Sequence, residues 1–117
     1  MVGIKRVDVV NEPYGTLRIA AGPMAGTIIP IHDGETLFIG RDATMSQIIL
    51  DEGYTSISRR HCSITYYADA GEYIVTDLSS NGTFLEIRTR LERDVSVALK
   101  PGTVIFLADE NCPILLQ

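Results

Sequence analysis

Three polar clusters hold most of the chain's capacity for chemistry: Gly40-Arg41, Ser58-Arg59-Arg60-His61 and Ser79-Ser80-Asn81-Gly82-Thr83. Together they offer guanidinium groups, hydroxyls, a carboxamide and an imidazole, nearly all of them hydrogen-bond donors. A charged set of donors suits an anion with many acceptor oxygens, and a phosphate group fits. Arg41 suits phosphate oxygens because guanidinium keeps its charge and presents a rigid fork. Gly40 would supply the backbone freedom for the turn that aims it. Ser58 would donate its hydroxyl. The Asn81 amide matches one C=O and one N–H of an extended peptide beside the phosphorylated residue.

Each residue also has a plainer reading. Arg41 could pair with Asp42 or Asp51 on the surface, and Ser58 could bond its own turn. Arg59 and Arg60 could be a solvated charged face. Asn81-Gly82 is a strong hairpin signal in its own right, and such a turn would also place the amide. Ser58, His61 and Asp77 can be drawn as a triad, but Gly-x-Ser-x-Gly is absent around Ser58. A buried imidazole bonding backbone carbonyls of the Arg41 or Ser58 loop explains His61 better. No P-loop or dinucleotide fingerprint occurs. Cys62 and Cys112 alone give neither a disulfide framework nor metal-ligand spacing. Asn81-Gly82-Thr83 satisfies a glycosylation pattern, read here as chance. No catalytic residue, metal or cofactor is expected.

All three clusters fall at the ends of short apolar runs punctuated by ten Gly and five Pro. The runs are rich in Ile, Val, Leu, Thr and Tyr, which predicts an all-β sandwich or barrel. Strands are predicted over 16–21, 27–31, 36–39, 47–50, 62–67, 73–78, 95–99, 103–108 and 113–116. Cys62, Ile64 and Tyr66 should face one way, and Ser63, Thr65 and Tyr67 the other. Asp33-Gly34 predicts a hairpin between the second and third strands. Residues 84–100 are ambiguous. Phe84, Ile87, Leu91, Val95 and Ala98 recur at helical spacing, while the neighbouring strands and the Asn81-Gly82 turn favour strand.

The order and spacing of the clusters resemble the forkhead-associated (FHA) domain family. The resemblance rests on Gly40-Arg41, Ser58-x-x-His61 and Asp77-Leu78-x-Ser80-Asn81-Gly82-Thr83-Phe84, and runs from about Thr16 to Leu116. It implies a sandwich of two twisted sheets and about eleven strands, with ligand loops at one end. It also implies a non-enzymatic module that recruits phosphothreonine-containing proteins or peptides after a Ser/Thr kinase has acted. By the resemblance, Arg41, Ser58, Arg59 and Ser80 contact phosphate and Asn81 the peptide backbone, while Gly40, His61 and Gly82 support the site. The family also has members that bind without phosphate. A phospho-independent scaffold for association or oligomerisation is therefore the alternative.

Length and composition agree with one domain. The 117 residues are 45% hydrophobic and 21% charged, too apolar for disorder. Residues 1–15 read as a tail or linker, with Val7, Val9 and Val10 available for an edge strand, and 16–117 as the domain. The net charge of −5 opposes sequence-independent nucleic-acid binding but not one locally basic anion site. No apolar run spans a bilayer. No signal peptide is read at the start, and the expected location is the cytoplasm.

Overall fold

The computed structural model describes residues 14–50 and 53–117. The described residues form ten strands and no helix. They are β1 (Tyr14–Ile19), β2 (Ile28–His32), β3 (Thr36–Gly40), β4 (Ile48–Ile49), β5 (Cys62–Tyr67), β6 (Glu72–Asp77), β7 (Thr83–Leu85), β8 (Ser96–Leu99), β9 (Val104–Leu107) and β10 (Pro113–Leu116). One five-stranded sheet has the order β2-β1-β10-β9-β7, the other β4-β3-β5-β6-β8. Tyr14 and Gly15 open β1, ahead of the predicted start at Thr16. The tail and edge-strand expectation over Val7, Val9 and Val10 lies outside the described residues.

Strict alternation builds the core. Leu17, Ile19, Ile31, Ile39, Ile64, Val75, Ile105, Leu107, Ile114 and Leu116 are all buried between the sheets. On β5, Cys62 and Ile64 are fully buried while Ser63 and Thr65 are only partly so, as the period of two requires. The same period on β6 points Tyr73, Val75 and then Asp77 inward, so a carboxylate takes the last core-facing place on that strand. At the other end of β6, the Tyr73 hydroxyl accepts from the Thr16 N–H at 2.9 Å and donates to the Gln117 carbonyl. Tyr73 thereby fastens the first and last strands to the opposite sheet.

Two turn expectations are corrected. Asp33-Gly34 does not close a hairpin, because β2 and β3 lie in different sheets. Only Gly34 has positive φ, 77°, and its N–H bonds the Tyr66 carbonyl at 2.7 Å. Asp33 accepts from the Ala68 N–H at 2.8 Å. The dipeptide docks a crossover onto the end of β5. Asn81-Gly82 likewise carries the chain from β6 to β7 in the other sheet, with φ 100° at Gly82. Residues 84–100 contain no helix. Arg88 and Asp94 take positive φ there, 61° and 65°, which ends any helical run.

Among the described residues no helix is long and apolar enough to cross a membrane. They hold no group of three or more potential metal ligands. Cys62 and Cys112 are buried and unpaired. Burial raises both thiols, Cys112 to about 11, so neither is a poised nucleophile.

Candidate functional site

Three connections converge at the end of the sandwich where Asp77 closes β6. The first two are laced together by backbone bonds. The Arg41 N–H bonds the Ser58 carbonyl at 3.2 Å, and the Asp42 N–H bonds the Arg59 carbonyl at 3.3 Å. The Arg59 carbonyl also accepts from the buried Ser46 hydroxyl at 2.8 Å. Arg41 Nε donates to the Ile57 carbonyl at 2.7 Å. That bond orients the guanidinium and leaves both Nη groups without a partner among the described residues. Asp42 does not pair with Arg41. Its carboxylate accepts from the Thr44 hydroxyl and N–H, which lower its pKa. Asp51 lies outside the described residues.

The third connection joins through Ser80 and Asn81. The Ser80 N–H donates to Ser58 Oγ at 3.2 Å, and Asn81 Nδ2 donates to the Ser56 carbonyl at 2.9 Å. Ser58 Oγ therefore accepts from inside the protein, and its own proton remains for an outside acceptor. Asn81 keeps Oδ1 and one N–H. Ser80 and Asn81 are exposed, Ser58 and Arg41 partly exposed. The structure thus brings Arg41, Ser58, Ser80 and Asn81 into one bonded cluster. Arg59 is exposed, and its charge, with that of Arg41, helps lower the pKa of the neighbouring Asp42 carboxylate. Arg60 turns away, donating from Nε to the Met45 carbonyl at 3.0 Å and stacking 4.2 Å over the Phe38 ring.

His61 sits beneath the cluster, fully buried. Its Nδ1 accepts from the Ser58 N–H at 3.1 Å, because a backbone N–H can only donate. Nε2 must then carry the proton it gives to the Gly82 carbonyl at 2.8 Å. The expectation of carbonyls in the Arg41 or Ser58 loop is corrected on this point: one partner is the Ser58 N–H, the other the Gly82 carbonyl. The triad geometry is absent, since His61 bonds the Ser58 backbone rather than its hydroxyl.

Burial lowers the His61 pKa, partly offset by its bond to Gly82 and the nearby Asp77 charge. The unfolded chain therefore binds more protons than the folded one just below the ordinary histidine pKa of about 6.5, and stability falls as pH drops through that value. Thermal unfolding between pH 7.5 and 5.5 should show this fall. His61→Gln should be less stable at pH 7.5 and flatter across the window. A wild-type slope no steeper than the variant's would refute the assignment.

Gly40 corrects another expectation. It is not in the left-handed region. A Cβ there would overlap the Arg59 carbonyl oxygen and lie 2.6 Å from its carbon and 2.7 Å from Ser46 Oγ. Gly40 is needed for close approach, not for a turn. Gly82 has both constraints: positive φ, and a Cβ that would lie 2.9 Å from Arg90 Nε and from the Phe84 ring.

The sequence places Asp77 and Thr83 in the motif and Ser79 in its polar cluster without assigning them a supporting role, yet they hold the third connection in shape. Asp77 Oδ1 accepts from the Ser79 N–H at 3.1 Å, the Ser79 hydroxyl at 2.6 Å and the Thr83 hydroxyl at 2.8 Å. Ser79 Oγ in turn accepts from the Gly82 N–H at 2.7 Å. Asp77 Oδ2 has no hydrogen bond, and Arg90 Nη2 stands 3.9 Å away. The inward register of Tyr73, Val75 and Asp77 was the available signal.

The described residues thus form an all-β sandwich of two five-stranded sheets with bonded loops gathered at one end. The sequence model of the FHA domain matches residues 37–108, and the chain belongs to the FHA domain family. An FHA domain-containing protein of Arabidopsis thaliana is 34% identical over 98 residues. The match covers 83% of this chain and 24% of that protein, so the chain spans about a quarter of its relative's length. The FHA domain of the CT664 protein from Chlamydia trachomatis superposes with a TM-score of 0.76 at 27% identity, covering 89% of this chain and 96% of that one. The MEK1 FHA domain, solved in complex with a HOP1 phosphothreonine peptide, gives 0.71 at 27% identity, covering 88% and 94%.

Proposed function

We propose that this domain binds phosphothreonine peptides through its Arg41, Ser58 and Asn81 loops and so recruits proteins phosphorylated by a Ser/Thr kinase. The observation that carries the reading is the set of unspent donors at one loop cluster. These are both Nη groups of Arg41 and the proton of Ser58 Oγ, with the Asn81 amide beside them and Arg59 exposed on the Ser58 connection. The Ser80 N–H is spent on Ser58, so Ser80 offers phosphate its hydroxyl alone. Gly40, His61 and Gly82 hold the loops in place. The relative solved with a phosphothreonine peptide supports the ligand class. The domain performs no reaction and needs no cofactor. It acts in the cytoplasm, where its buried, unpaired thiols stay reduced.

Affinity should lie in the micromolar range, about −8 kcal/mol. Binding should weaken with salt, since the ligand is a dianion. It should also weaken as pH falls through about 6, where phosphate takes up its second proton. A peptide array carrying phosphothreonine, phosphoserine and unmodified threonine is the deciding measurement. Phosphothreonine should lead, with a margin of about 1 kcal/mol from its γ-methyl, and unmodified peptides should fail. Equal binding of modified and unmodified peptides, or self-association indifferent to Arg41, would replace this reading with the phospho-independent scaffold.

A further inference from the structure

Asn81 and Gly82 are a reactive pair as well as a turn. Of the three asparagines, Asn11, Asn81 and Asn111, only Asn81 precedes a glycine. In an unstructured chain such a pair cyclises readily. The backbone nitrogen of Gly82 would lose its proton and attack Cγ of Asn81. The Cγ–Nδ2 bond would break, and Nδ2 would leave as ammonia with that proton. Water would then open the succinimide at either carbonyl, giving aspartate or isoaspartate. Glycine makes the attack easiest because no Cβ shields the nitrogen. Replacing Gly82 is not open to this fold. Its φ is 100°, and a Cβ would lie 2.9 Å from Arg90 Nε and from the Phe84 ring. Protection must come from the surroundings of the pair.

Both reacting groups are held. Gly82 is buried, and its N–H donates to Ser79 Oγ at 2.7 Å. The Ser79 hydroxyl passes the chain on, donating to Asp77 Oδ1 at 2.6 Å. Ser79 and Asp77 are fully buried. An amide proton in a buried hydrogen bond reaches solvent base only when its segment opens. The Gly82 carbonyl accepts from His61 Nε2 at 2.8 Å and from the Ala108 N–H at 2.9 Å. Bonds on both its N–H and its carbonyl restrain the rotations that cyclisation needs. The target is restrained as well, because Asn81 Nδ2 donates to the Ser56 carbonyl at 2.9 Å. We infer that Asn81 is a latent self-modification site, and that the chain of bonds from the Gly82 N–H through Ser79 to Asp77 is the clamp that keeps it closed. Each opening of the 79–83 connection then exposes the pair to an irreversible step. The product carries a carboxylate where the carboxamide stood. It cannot donate to the Ser56 carbonyl, and it adds negative charge to a cluster built of donors. The clamp consists of bonds within the chain and needs no ligand; only its effect on peptide binding rests on the phosphothreonine reading.

The test incubates the whole chain in mildly alkaline buffer and follows the amide-to-acid mass change on tryptic fragment 61–88, which holds Asn81 and no other Asn or Gln. The folded protein should convert about 100-fold more slowly than the same protein in denaturing urea, the contrast between a protected and an open segment. In dilute urea, below the unfolding transition, conversion should rise in step with hydrogen exchange at the Gly82 N–H. Ser79→Ala, with circular dichroism as the fold control, should convert about tenfold faster than the parent, since the attacking nitrogen loses its acceptor. Equal rates in the folded and unfolded chain overturn the inference, as does conversion that ignores Gly82 exchange. The dilute-urea series decides the matter even where Ser79→Ala fails to fold. A folded Ser79→Ala that converts no faster also overturns it, and slower conversion would make Ser79 and Asp77 a relay that drives the step. Converted protein, separated by charge and checked for fold, is then titrated with a phosphothreonine peptide, and a loss of at least about tenfold is expected. Undiminished binding by the converted form would keep the clamp and remove Asn81 from the phosphothreonine pocket.

Discussion

Arg41→Ala is expected to weaken phosphothreonine-peptide binding at least 100-fold. The two Nη groups would each give the phosphate a charge-assisted bond, and such bonds contribute roughly 1.5–3 kcal/mol. Their joint loss, about 3 kcal/mol or more, moves a micromolar ligand beyond about 100 μM. The fold should survive, because the one internal bond lost is Nε to the Ile57 carbonyl, about 1 kcal/mol. Arg41→Lys should rescue little, since one ammonium group cannot hold Ile57 and grip two phosphate oxygens together. Isothermal titration against one phosphothreonine peptide, with circular dichroism as the fold control, measures both quantities. A variant binding within threefold of the parent would remove Arg41 from the site.

Gly40→Ala should produce the largest loss of stability from a single methyl group. The backbone at Gly40 would accept alanine, so conformational freedom is not at stake. The added Cβ meets the Arg59 carbonyl and Ser46 Oγ, and that carbonyl is fixed by the Ser46 hydroxyl and the Asp42 N–H. Overpacking against fixed backbone costs about 3 kcal/mol, or roughly 10–20 °C in Tm for a domain of this size. The two connections must separate to relieve the overlap, so Arg41 and Ser58 lose their relative placement and affinity falls as well. Differential scanning calorimetry reads the first effect and peptide titration the second. An unchanged Tm would mean that the lacing between the two connections yields easily.

The sandwich was legible in the sequence because period-two burial leaves a direct trace. Cys62 to Tyr67 and Pro113 to Leu116 are strands with the predicted boundaries. Sheet membership leaves no such trace. Asp33-Gly34 encodes one positive-φ residue, and the same local turn serves a hairpin or a crossover depending on where the next strand finds its partners. The helical spacing in 84–100 was coincidental. Leu91 is buried, Phe84 lines an outer groove and Ile87 is 79% exposed, so the repeat marks no common face. Within the site, the donors could be picked out by type and spacing. What holds them could not, because it is made of close approaches and backbone carbonyls. The space above Gly40, the Gly82 oxygen that receives His61, and the Asp77 hub all depend on contacts between segments 17 or more residues apart or on strand register.

The Tyr73 hydroxyl gathers Thr16 and Gln117 at the pole of the sandwich opposite Asp77. The Gln117 N–H also bonds the Thr16 carbonyl at 2.8 Å. The first and last described strands, neighbours in one sheet, therefore enter and leave side by side. A unit with this geometry can be spliced as a guest into a host polypeptide, or strung in tandem on flexible tethers, with its bonded loop cluster at the pole away from the attachment point. Joining the start of β1 to the end of β10 and opening the chain at the β5–β6 turn, Asp69-Ala70-Gly71, which lies at the same pole, is the corresponding circular permutation.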